Sequence, residues 1–158
     1  MPHTATPESR MRKPLLTVVM AVYNGEQYLR EAIESILNQT YPDFEFVIVN
    51  DGSTDGTKDL LDRYSRVDGR IRDHRPHQGL IPSLNRGCSL VRSPYIARMN
   101  ADDVAFIDRL ERQLGFMKEH PGVAIVGGAS ERIDTNGNVT AVSRRSNRSG
   151  EIRPTITC

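Results

Sequence analysis

Short continuous hydrophobic runs alternate with helical hydrophobic periods along most of the chain. The runs Leu15–Ala21 and Phe44–Asn50 are rich in β-branched or aromatic residues, which is typical of strands buried on both faces. Between them, apolar residues recur with helical spacing from Leu29 to Leu37, and this predicts an amphipathic helix that ends before Tyr41-Pro42. Two βα units in series predict a parallel sheet.

The same alternation continues toward the C-terminus. Further helices are predicted around Leu60–Tyr64, Ile81–Val91 (with Pro82 in the first turn) and Leu110–Met117, and further strands at Ile71–His74, Tyr95–Met99 and Ala124–Gly127. Strands that alternate with helices across short loops predict an α/β fold, with a Rossmann-like, mostly parallel sheet and helices on both faces.

The pattern changes beyond Ser130. Glu131–Thr135, an Asn-Gly turn and Val139–Val142 predict a β-hairpin. We therefore expect a disordered leader over 1–14, one domain over 15–142 and a flexible basic tail over 143–158, in a fragment of a longer protein.

Composition narrows the classes of partner. The chain has 158 residues, of which 37% are hydrophobic, and a net charge of +1, which argues against nucleic acid as a partner. No apolar run approaches the roughly 20 residues of a membrane span. The two cysteines and four histidines show no metal-ligand spacing, and a reducing cytoplasm fits the cysteine pattern. The arginines of the tail are expected to be solvated, with contact to the inner face of a membrane or to an anionic acceptor as the alternative.

Polar and acidic residues follow three of the predicted strands. These segments are Ala21–Asn24, Asn50–Ser53 and Asn100–Asp103. Ligands of open parallel sheets bind beyond the carboxyl ends of the strands. Asp51, Asp102 and Asp103 are therefore candidates for one shared site.

The chain lacks a glycine-rich phosphate loop after Ala21. Neither Gly-x-Gly-x-x-Gly nor the Walker lysine loop occurs there, so a bound diphosphate needs positive charge from elsewhere. Asp102 and Asp103 are hard oxygen ligands suited to Mg²⁺ or Mn²⁺. Asp51 could accept a hydrogen bond from a base N–H, and Tyr23 could offer its ring face to the base.

Each of these residues also has a structural interpretation. Asp102-Asp103 could cap the following helix, Asp51-Gly52 could be turn chemistry, and Tyr23 could be an aromatic at the edge of the core. The agreement of independent strand ends favours a metal and nucleotide site. Two other classes compete: a phosphoacceptor signalling module, which needs an acidic pair after the first strand, and a nucleotidyltransferase, which usually has a glycine-rich basic loop.

Several motifs together resemble family 2 of the inverting glycosyltransferases. They are Ala21–Gly25, Val49–Thr57, Asn85–Gly87, and Ala101–Asp103 followed by Arg109–Gln113, in matching order from about Leu15 to Asp134. The resemblance implies a GT-A fold, a nucleoside-diphosphate-sugar donor with UDP as the expected nucleotide, a divalent metal, and a saccharide or lipid-linked saccharide acceptor, as in polysaccharide biosynthesis.

The resemblance also implies roles for individual residues. Ala21, Tyr23 and Asp51 correspond to the base-binding positions, and Asn24 to a further substrate-binding position. Asn85 and Arg86 correspond to a donor-contacting segment, Asp102 to a ligand of both donor and metal, and Asp103 to a metal ligand. Many members begin the last motif with aspartate, where this chain has Asn100, a poorer metal ligand. The family's catalytic base is a carboxylate expected beyond Cys158, so this chain is expected to hold mainly the donor-binding half.

Overall fold

A computed structural model describes residues 13–74, 79–134 and 136–143. The chain divides into two compact units, Met1–Gly115 and Phe116–Cys158. Most of the predicted leader (1–12) and nearly all of the predicted tail (144–158) lie outside the described residues, so the domain boundaries stay predictions.

The elements follow the predicted alternation closely. They are β1 (Leu16–Val22), α1 (Leu29–Leu37), β2 (Phe44–Asn50), α2 (Thr57–Val67), β3 (Ile71–His74), α3 (Leu80–Leu90), β4 (Tyr95–Asn100), α4 (Arg109–Glu119), β5 (Ser130–Ile133) and β6 (Val139–Ser143). None of the helices in the described part is both long and apolar enough to cross a bilayer.

The first unit contains a four-stranded sheet in the order β3-β2-β1-β4, and all its pairings are parallel. The chain builds outward from β1 to β3 and then returns to the other side of β1. The strand order therefore reverses between β1 and β4, which is where open α/β sheets bind ligands. The predicted α/β class, with a C-terminal hairpin, is confirmed.

Both faces of this sheet are covered, which explains why β1 and β2 are buried along their whole length. One face, with Val18, Met20 and Phe46, joins the core formed by α1, α2 and the start of α4. The opposite face receives α3, whose Gly87 lies against Val19 and Val49. Since alternate residues point to opposite faces, both sets must be apolar.

Gly87 sets the distance between α3 and the sheet. A methyl group there would lie 2.7 Å from Cγ1 of Val19 and 3.4 Å from Cγ2 of Val49. We expect Gly87→Ala to lower the free energy of unfolding by about 1–3 kcal/mol, because overpacking outweighs the gain in helix propensity. The matched control is Gly115→Ala in α4, where the methyl group meets open space and should stabilise by up to about 1 kcal/mol. Urea denaturation measures both, and equal shifts would contradict this account.

The predicted strand at Ala124–Gly127 is wrong. These residues form no strand, and Ile125 is largely exposed. A strand is defined by hydrogen bonds to a neighbour, and in the described part of the chain this segment pairs with none. The apolar run identified a candidate strand but could not identify its partner.

The predicted hairpin is confirmed in β5 and β6, which pair antiparallel. Gly137 adopts a φ of 83° in the turn, and Oδ1 of Asp134 accepts the N–H groups of Asn136 (2.8 Å) and Asn138 (2.9 Å). The Asn-Gly pair therefore forms the turn for the expected reason, since glycine accepts positive φ without strain.

Candidate functional site

The sheet register aligns the ends of three strands. Ala21 of β1 pairs with Val49 of β2 on one side and with Asn100 of β4 on the other. Tyr23, Asp51 and Asp102 therefore each lie two residues beyond the same level of the sheet. β2 and β4 are separated by two strand spacings, about 10 Å. We call this edge, which carries Tyr23, Asp51 and the Asp102-Asp103 pair, the rim.

Asp51 is buried at the rim, with 5% of its surface exposed. Its Oδ1 accepts the N–H of Gly79 and the hydroxyl of Ser83, both at 2.9 Å. The backbone N–H of Asp51 also donates to the carbonyl of Val22 (2.8 Å). Asp51 therefore joins β1, β2 and the start of α3, which goes beyond plain turn chemistry. The turn itself uses Gly52, with a φ of 75°.

Asp102 and Asp103 are exposed in the turn after β4. The structural alternative, that they cap α4, is not supported, because that helix begins only at Arg109. The side-chain N–H of Asn100 donates to Oδ2 of Asp103 (2.7 Å), and Arg98 donates to Oδ1 of Asn100 (2.8 Å). Asn100 thus orients the second carboxylate of the pair.

Arg109 supplies a positive charge behind this turn. Its guanidinium donates to the carbonyl of Arg98 (2.8 Å) and to the sulfur of Met99 (3.0 Å). Burial lowers the pKa of Arg109, and the charge of Asp103 acts in the opposite direction. Sequence analysis placed Arg109 in a motif without assigning it this role.

The segment that follows Asp103 is anchored to the end of α1. Gln39, 6% exposed, donates from Nε2 to the carbonyl of Phe106 (2.7 Å) and accepts the N–H of Leu110 at Oε1 (2.9 Å). The hydroxyl of Ser35 accepts the N–H of Ala105 (3.0 Å). Sequence analysis missed Gln39, since a glutamine after a helix carries no signal of a distant partner.

Tyr23 and Asn24 form the β1 side of the rim. Tyr23 is 57% exposed, whereas Ala21 is buried in the sheet. Asn24 has a φ of 48°, in the left-handed region that asparagine tolerates. Its Oδ1 accepts the N–H of Thr54 (2.8 Å), so this predicted binding residue also joins two loops.

Asn85 and Arg86 occupy the exposed side of α3. Their neighbours Ser83 and Gly87 are the buried residues of the helix. Among the described contacts, none links Asn85 or Arg86 to Asp51 or to the Asp102-Asp103 pair. The assignment of Asn85 and Arg86 to the donor stays a prediction.

The N-termini of α2 and α3 at the rim are occupied by the protein's own carboxylates. Glu26 accepts the N–H of Gly56 (2.9 Å), Asp55 accepts that of Thr57 (3.0 Å), and Asp51 accepts that of Gly79. Although burial opposes the shift, the hydrogen bonds from Thr57 and Glu26 lower the pKa of Asp55 below its usual value. Helix N-termini are natural phosphate sites. The N-termini of α2 and α3 already bind carboxylates of the protein, so these N–H groups are not available to bind a diphosphate.

The residues at the end of β4 fit a cation that the substrate helps to bind. Asp102 and Asp103 are adjacent exposed carboxylates, whereas the described residues contain no group of three or more histidine, cysteine or acidic side chains able to enclose a metal. Mg²⁺ typically takes one or two carboxylates and completes its shell with water and substrate phosphates. The pair suits that arrangement and does not suit a closed protein site.

The fold is similar to solved structures that hold nucleotide sugars. S. aureus TarS in complex with UDP-GlcNAc matches with a TM-score of 0.63 at 24% identity, over 67% of this chain and 32% of that chain. The mannosyltransferase PcManGT of Pyrobaculum calidifontis, in complex with GDP-Man and Mn²⁺, matches with a TM-score of 0.63 at 23% identity, over 77% of this chain and 37% of that chain. At these identities the similarity establishes the fold.

Sequence comparison establishes the family. An uncharacterized glycosyltransferase of Haemophilus influenzae is 38% identical over 122 residues, which cover 76% of this chain and 38% of that protein. This chain therefore spans less than half the length of that relative. The family model described as glycosyl transferase family 2 matches residues 17–156. The chain belongs to glycosyl transferase family 2.

Proposed function

We propose that the chain binds the nucleoside-diphosphate-sugar donor of an inverting glycosyltransferase, with UDP as the nucleotide. The observation that carries this proposal is the alignment of Tyr23, Asp51 and Asp102 at one rim. The complexes of TarS with UDP-GlcNAc and of PcManGT with GDP-Man and Mn²⁺ support a nucleotide-sugar donor and a divalent cation here.

The nucleobase binds on the β1 and β2 side of the rim. Asp51 is held by Gly79 and Ser83 through Oδ1, and its carboxylate accepts a hydrogen bond from the base N–H. Tyr23, which is exposed beside it, stacks on the base. A buried carboxylate in a fixed position favours a base that donates a hydrogen bond to it over a base that presents an acceptor or a methyl group there.

The diphosphate binds on the β4 side, where Asp102 and Asp103 would hold Mg²⁺ or Mn²⁺. The cation, when bound, offsets the negative charge of the departing diphosphate. Asn100 and Arg109 keep the Asp103 side of the turn in place. The occupied N-termini of α2 and α3 support this division, since backbone N–H groups already committed to carboxylates cannot neutralise phosphate.

Transfer is a single displacement at the anomeric carbon. The oxygen of an acceptor hydroxyl forms a bond to that carbon while the bond from the carbon to the diphosphate oxygen breaks, which inverts the configuration. A carboxylate base takes the hydroxyl proton. The acceptor is a saccharide or a lipid-linked saccharide, and the described rim accounts for the donor half of this reaction.

Calorimetry with UDP, with and without Mn²⁺, tests the proposal. We expect Mn²⁺ to strengthen UDP binding at least about tenfold, because the ion contributes ligand bonds to both carboxylate and phosphate. Asp102→Ala should abolish this enhancement and leave the melting temperature nearly unchanged, since Asp102 is exposed. The control is Asp43→Ala, an exposed carboxylate at the opposite end of β2. Binding of UDP that is absent, or indifferent to Mn²⁺, in folded protein would refute the proposal.

A further inference from the structure

The loops after β1 and β2 are joined by reciprocal hydrogen bonds that none of the roles above requires. We call residues 24–26 and 53–57 together the clasp. The bonds run from Asn24 N–H to Ser53 Oγ (2.9 Å), Thr54 N–H to Asn24 Oδ1 (2.8 Å), Gly25 N–H to Thr57 Oγ1 (3.0 Å), Glu26 N–H to Asp55 Oδ2 (3.1 Å) and Gly56 N–H to Glu26 Oε2 (2.9 Å).

Each of these five bonds pairs a backbone N–H of one loop with a side-chain oxygen of the other. Each loop therefore needs the opposite one to satisfy its own backbone groups. Tyr23 immediately precedes the clasp on one side, and Asp51 lies two residues before it on the other. Any shift between the two loops would move these two side chains relative to each other.

Gly56 allows the two loops to approach closely. A methyl group at Gly56 would lie 2.5 Å from Oε1 of Glu26, so the carboxylate rests directly against the backbone at the start of α2. Gly56, the N-cap residue of α2, has no side chain with which to cap the helix, and the carboxylate of Glu26 accepts its backbone N–H.

We propose that Glu26 and Asp55 are positioning residues that hold Tyr23 and Asp51 at a fixed separation for the nucleobase. This inference rests on the proposed function. A prearranged pair of contacts binds more tightly than one that must be ordered on binding, because the entropy of ordering has already been lost in folding. The clasp therefore affects the positions of Tyr23 and Asp51, and it does not affect Asp102 and Asp103.

The two carboxylates differ in how many acceptors they use. Within the clasp Glu26 accepts one backbone N–H, through Oε2, and a glutamine retains one acceptor oxygen for that bond. Asp55 accepts through both oxygens, Oδ1 from Thr57 and Oδ2 from Glu26. An asparagine would replace one of these acceptors by an N–H₂ that faces another donor. Glutamine at position 26 should therefore keep the hydrogen bond of the clasp, whereas asparagine at position 55 should lose one of its two hydrogen bonds.

The test compares UDP affinity with and without Mn²⁺ in four variants of the chain. We expect Glu26→Ala and Asp55→Asn to weaken binding about three- to tenfold in both conditions, so that the enhancement by Mn²⁺ is unchanged. Glu26→Gln should bind within about twofold of the wild type. The matched control, Glu31→Ala, removes an exposed acidic residue in the first turn of α1 and should bind normally.

Amide hydrogen exchange in the protein without ligand supplies a second measurement. Gly25 and Gly56 should exchange faster in Glu26→Ala and Asp55→Asn than in the wild type or Glu26→Gln. Unchanged UDP affinity in both weakening variants would overturn this inference alone. The inference would also be overturned if Glu26→Gln weakened UDP binding as much as Glu26→Ala does. The same holds if Glu26→Ala or Asp55→Asn reduced the enhancement of UDP binding by Mn²⁺. Wild-type chain that fails to bind UDP would overturn the proposed function, and the clasp as a positioning device with it.

Discussion

Replacing Gln39 with leucine should lower the free energy of unfolding by about 3 kcal/mol, because it leaves buried backbone groups without partners. Gln39 donates to the carbonyls of Ser35 and Phe106 and accepts the N–H of Leu110. Each buried group that loses its partner costs about 1–3 kcal/mol, and leucine recovers part of this through apolar burial. The lost hydrogen bonds are those that connect the end of α1 to the segment after Asp103.

Urea denaturation of Gln39→Leu against Gln27→Leu measures this effect. Gln27 is exposed just before α1, so its replacement should change stability by less than about 0.5 kcal/mol. Similar free energies of unfolding for the two variants would mean that the hydrogen bonds of Gln39 contribute little to stability. A gain in stability from Gln39→Leu would contradict the account directly.

Asp51→Asn should weaken UDP binding about 10- to 100-fold while the protein stays folded. The loss corresponds to one hydrogen bond to a charged group. An asparagine oxygen can still accept the hydrogen bonds from Gly79 and Ser83, so the contact with the start of α3 is retained. Its N–H₂ would then occupy the other oxygen's position and repel a base N–H.

Affinities for UDP and for N3-methyl-UDP separate base recognition from general damage. The wild type should prefer UDP strongly, since the methylated base cannot donate to Asp51, and Asp51→Asn should lose most of this preference. Asp43→Asn, at the opposite end of β2, is the matched control and should keep it. Equal affinity of the wild type for the two ligands would refute the proposed contact between Asp51 and the nucleobase.

The carboxylates at the rim divide into two groups by their surroundings. Glu26, Asp51 and Asp55 accept backbone N–H groups at the starts of α2 and α3. Asp102 and Asp103 are exposed, and no hydrogen bond among the described residues joins them to a helix N-terminus. Among the described carboxylates of the rim, the Asp102-Asp103 pair is therefore the adjacent exposed pair that suits the proposed cation.

The elements of the first unit follow the local hydrophobic pattern closely, whereas the strand that depends on a pairing partner does not. The predicted bounds of β2 and β3 match the structure, because buried parallel strands and turn residues leave a strong local pattern. The strand predicted at Ala124–Gly127 failed, since strand formation depends on a neighbour that a local pattern does not identify.

The sequence alone determined that strands and helices alternate and that Asp51 and the Asp102-Asp103 pair follow strand ends, since hydrophobic periodicity is a local property. The tertiary structure alone decided which oxygens bind backbone N–H groups and which remain exposed. Those bonds join residues far apart in the chain, as Glu26 to Gly56 and Asp51 to Ser83. Contacts at such separations leave no periodic trace in the sequence, because they depend on how the strands are ordered in the sheet.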